Sequence, residues 1–79
     1  MSKGTEKTPI QVTPRYSLTG QQNLHRVQSQ MLQQGASTEA ILEFAKVADE
    51  TRQRPGIVGQ IEPITAAAHA VGVEVHWTN

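Results

Sequence analysis

The spacing of apolar side chains changes period twice along the chain. From Ile10 they fall on alternate positions, Ile10, Val12, Tyr16 and Leu18, the two-residue period of an extended segment. Pro14 interrupts that run and lacks the amide a central strand would need, so the pattern predicts an arm or an edge strand. Between Gln21 and Gln34 the period becomes helical, with Leu24, Val27 and Met31 on one side, Thr19 as the cap and Gly35 as the stop. A second helix is expected after Ser37 or Thr38. Its apolar face is broad, with Ile41, Leu42, Phe44, Ala45, Val47 and Ala48, while Glu39, Glu43, Lys46, Asp49 and Glu50 line the other side. Glu50 precedes Arg54 by four, the order that favours an ion pair, and Pro55 with Gly56 ends the helix. A third helix is predicted from about Glu62, with Pro63 in its first turn, through Ala66, Ala67, Ala68 and Ala70 to a stop at Gly72. Alternation then returns, with Val73, Val75 and Trp77 inward and Glu74, His76 and Thr78 outward.

This order predicts a mostly helical α+β fold: an N-terminal arm or strand, an antiparallel helix hairpin, a third Ala-rich helix and a short C-terminal strand. Residues 9–79 form one small domain on this reading, and 1–8 a flexible tail. The short Gly35-Ala36 joint makes the hairpin, whose apolar seam is expected to be the main core. Ile57, Val58 and Ile61 should dock on it. The last strand needs a partner, either Ile10 and Val12 or another chain. Because a two-stranded sheet is marginal alone, completing the sheet between copies, or swapping the arm, gives a route to a homodimer.

Composition narrows the chemistry. With 79 residues, folding buries only about 60% of the unfolded chain's surface, and no cysteine is present to staple it or to bind a thiolate-loving metal. The formal charge is zero, short of the basic excess that phosphate binding uses. The opening MSKGTEKT has no apolar core of a signal peptide and no stretch reaches membrane-span length, so the expected location is the cytoplasm, with no membrane partner. The helix of 21–34 carries many glutamines and one cation, Arg26, and is read as a polar surface ahead of a Gln-lined contact face.

No nucleophile context, phosphate loop, HExxH or dinucleotide fingerprint is present, so an enzyme is not expected, nor a cofactor. Glu74 with His76, and Glu62 with His69, share faces, but their spacing fits no ligand set and no metal is expected. The leading expectation is a small interaction protein that binds a larger partner or itself, with Arg15, Tyr16, Gln28 and Trp77 as contact residues. Trp77 is also expected to close one end of the core. Nucleic acid is the second candidate partner. Gly56-Ile57-Val58-Gly59, followed by a helix and a glycine-led strand, resembles in outline the GxxG loop of KH modules. That outline implies backbone contacts from Arg52, Arg54, Gly56 and Gly59. Apolar Ile57 and Val58 between the glycines, and Pro63 inside the following helix, depart from the KH pattern, and membership of that family is not inferred.

Overall fold

A computed structural model describes residues 9–57, 59 and 61–79; the expected tail of 1–8 and the docking of Val58 lie outside the described residues. The chain runs β1 (Gln11–Val12), α1 (Gly20–Gln33), α2 (Thr38–Arg52), α3 (Ile61–Ala70) and β2 (Glu74–Val75), a mostly helical α+β fold. The two strands pair with each other. They are parallel, with Gln11 against Glu74 and Val12 against Val75, and an isolated bridge between Arg15 and Thr78 extends the pairing. Parallel neighbours need a crossover, and here all three helices supply it.

Local chemistry sets the helix ends. At the start of α1, the Thr19 hydroxyl accepts from the Gln22 amide at 3.2 Å while the Gln22 side chain accepts from the Thr19 amide at 3.0 Å, a reciprocal capping box. Ser37 caps α2 through Ala40. α3 stops in a Schellman turn: the Val73 amide donates to the Ala68 carbonyl at 2.8 Å and Gly72 to His69 at 3.1 Å. Gly72 has φ +77° with open space around its missing Cβ, so the cost of a side chain there is conformational rather than steric. Gly72→Ala should lose about 1 kcal/mol in urea unfolding, by a lower midpoint at unchanged slope.

The core gathers Val12 of β1, Val27 and Met31 of α1, Phe44 and Ala48 of α2, Ile64, Ala67 and Ala68 of α3, and Val73. It does not centre on the seam between α1 and α2, as the sequence led one to expect. α2 packs far more extensively on α3, because Ala48, Ala67 and Ala68 let the two backbones come close. The predicted face of α2 is also too broad. Leu42, two residues before the wholly buried Phe44, is 63% exposed, since a two-residue step turns a helix by about 200°. Ile61 opens α3 at 44% exposure instead of docking on the core. In the arm, the inward alternation runs through Pro14, which is fully buried, and breaks at Tyr16. The Glu50–Arg54 pair does not form: Arg54 lies beyond the end of α2 and makes no ion pair among the described residues.

Candidate functional site

The arm, residues 9–16, lies at the sheet edge as expected, and its outer side is covered by α1, so it is held from both sides. Its even-numbered residues face β2. The carbonyls of Ile10, Val12 and Pro14 accept from the amides of Glu74, His76 and Thr78 at 2.9–3.0 Å, and the Tyr16 amide donates to Thr78 at 2.8 Å. Its odd-numbered residues face α1, where side chains take the place of a third strand. Gln34 accepts from the Gln11 amide at 3.0 Å and donates to its carbonyl at 2.6 Å. Asn23 treats Arg15 in the same two-way manner, at 2.9 and 2.8 Å. At Thr13, Gln30 accepts from the amide at 2.6 Å and the Arg26 Nε donates to the carbonyl at 2.7 Å. The four-residue step from Gln30 to Gln34, about 6 Å along a helix, matches the two-residue step from Thr13 to Gln11, about 6.6 Å along a strand. The glutamines on this face are therefore a seat for the arm and not a plain polar surface.

That seat brings three of the four expected contact residues to one end of the sheet. Tyr16 is 52% exposed and its ring stacks on Trp77, with centroids 5.3 Å apart and planes at 26°. Trp77 is half-buried against the core and its Nε1 donates to the Thr65 hydroxyl at 3.2 Å, so the indole closes the core on one side and meets solvent on the other. Arg15 lies beside them, its guanidinium donating to the Asn79 carbonyl at 3.0 Å. Gln28 does not join this group. It lies two residues from both Arg26 and Gln30, on the flank of α1 turned away from the arm.

β2 has a second, open edge. Since Glu74, His76 and Thr78 bond to the arm, the backbone groups of Val73, Val75 and Trp77 point the other way. The Val73 amide is taken by Ala68, but the amides of Val75 and Trp77 have no hydrogen-bond partner among the described residues. A groove of about 430 Å³ runs along this edge, lined by Thr65 and His69 of α3 and by residues 72–75. The sequence pattern had the strand but not which edge stays open, a detail fixed only by the parallel register with the arm.

Elsewhere the surface is less organised. Arg52 and Arg54 are exposed after α2, and Gly56 and Gly59 take φ of +87° and +82°. Arg54 shares its groove with an acid, Glu62, and with His69. His76 Nε2 stands 3.4 Å from Glu74 Oε1 on the outer face of β2, and His25 meets Gln21 at 3.2 Å. Among the described residues no three histidines or acids gather at a metal-binding distance, and no helix is long and apolar enough to cross a membrane. No protein-family model, no curated protein and no solved structure matches the chain.

Proposed function

We propose that this chain is a small protein-protein interaction module, an accessory, assembly or inhibitor factor and not an enzyme, that takes up an extended segment of a partner along the outer edge of β2. The observation that carries this reading is the pair of unpartnered amides at Val75 and Trp77, beside a half-exposed Tyr16–Trp77 stack. Edge strands of folded proteins are commonly blunted by lysine, proline or a bulge, and residues 73–79 contain neither lysine nor proline. Strand addition draws affinity from main-chain bonds and selectivity from pockets beside the edge. The groove under Thr65 and His69 suits the second role, and Tyr16, Trp77 and Arg15 suit an anchor at its end.

Val75→Pro tests the reading, because it removes the outward amide while the bonds from β2 to the arm, which run through Glu74, His76 and Thr78, stay available. Extended peptides selected on the wild-type protein from a displayed library should bind the Val75→Pro protein about tenfold less tightly or worse, by isothermal calorimetry. Peptides that bind both proteins equally would remove β2 from the proposal.

A further inference from the structure

We infer that the segment this edge takes up is the β2 of a second copy, paired antiparallel about a two-fold axis at Val75, so that each Glu74 faces the other copy's His76. The inference rests on the reading of β2 as a strand-addition edge and adds the occupant and its register. In an antiparallel pair, residues that exchange both backbone bonds alternate with closer pairs that exchange none. Only the backbone groups of Val73, Val75 and Trp77 point outward, so a symmetric pairing can be centred on residue 74, 75 or 76.

The side chains choose among these registers. Centring on Glu74 sets two carboxylates directly opposite each other, a destabilising pair. Centring on His76 sets the two imidazoles against each other. Centring on Val75 sets Glu74 opposite His76 twice, in the closer, non-bonded pairs where side chains interact most. Within one chain these two groups already stand 3.4 Å apart, with more than half of each side chain exposed, so both are accessible to a second copy.

The same register uses both open amides. The two Val75 residues exchange both bonds, and each Trp77 amide reaches the other copy's Val73 carbonyl, a group left open because the Schellman turn uses only the Val73 amide. On the inner face Val75 meets Val75 and Val73 meets Trp77, a β-branched and aromatic pairing of the kind that stabilises sheets. The product is a four-stranded sheet in the order β1-β2-β2-β1. It passes the size at which a sheet stands by itself and leaves no β2 edge uncovered.

Sedimentation equilibrium from micromolar to millimolar protein tests this. The wild-type chain should show a monomer–dimer equilibrium. H76E, which opposes two carboxylates, should weaken it by about tenfold or more, and E74R/H76E should restore it by setting opposite charges against each other in the same register. Both positions are exposed in the single chain, so at concentrations where the wild type is monomeric their variants should keep its melting curve; Val75→Pro should be monomeric at every concentration. A wild-type chain that stays monomeric throughout overturns the self-pairing, and leaves the strand-addition reading standing if selected peptides still bind in a Val75-dependent way. A dimer indifferent to H76E overturns the register, and one indifferent also to Val75→Pro overturns the edge as its interface.

Discussion

Equilibrium unfolding of the Asn23→Asp protein should show a loss on the order of 3 kcal/mol, from a change of one nitrogen to oxygen. Asn23 is wholly buried, and its amide accepts from the Arg15 amide and donates to the Arg15 carbonyl at 2.9 and 2.8 Å. Aspartate keeps the acceptor but turns a second oxygen toward the Arg15 carbonyl, so a bond becomes a repulsion between two acceptors, and a charge enters a buried site. The loss should shrink in acid, where a protonated carboxyl can donate again. Hydrogen exchange gives a second reading of the same event, because the Arg15 amide should lose protection along with the arm amides of Gln11 and Thr13. A loss below about 1 kcal/mol would mean the arm is held mainly by β2 and not by α1.

The other large effect belongs to Phe44. It is the largest of the fully buried side chains and belongs to the core, on α2, the helix that packs most extensively on α3. Phe44→Ala should cost about 3–5 kcal/mol, from the lost transfer energy and from the cavity that a tight seam cannot collapse to fill. Small domains have a total stability of about 5–15 kcal/mol, so this variant should melt early or lack a cooperative transition by circular dichroism. Leu42→Ala, one helical face away on the same element, should stay within about 0.5 kcal/mol of wild type. Equal effects at both sites would place α2 in the wrong rotation.

These two residues also mark what the sequence reveals and what it hides. Phe44 is legible because its neighbours recur at helical spacing, and the element order, the caps at Thr19 and Ser37 and the stops at Gly35 and Gly72 follow from equally local signals. Asn23, Gln30 and Gln34 are not, because hydropathy assigns a polar helical residue to solvent and their partners lie 8 to 23 residues away. A signal existed: with Val27 and Met31 they fall at steps of four, three, one and three along a single stripe of α1, so the amides share the core-facing side. The grouping of Arg15, Tyr16 and Trp77 at one end of the sheet depended on a parallel register that neither strand encodes alone. The weight of the α2 and α3 seam over that of α1 and α2 depends on how close two backbones come, which spacing along the chain does not report.

The way the arm is seated also decides where selection can act. Side-chain amides on α1 grip the arm by its main chain, at Gln11 and Arg15 through backbone atoms alone. What is recognised there is an extended peptide, whatever its side chains, so the demand for particular residues falls on positions 23, 30 and 34 of the helix. The side chains at positions 11 and 15 are left out of that grip, and the guanidinium of Arg15, exposed beside the aromatic stack, is engaged instead by the Asn79 carbonyl.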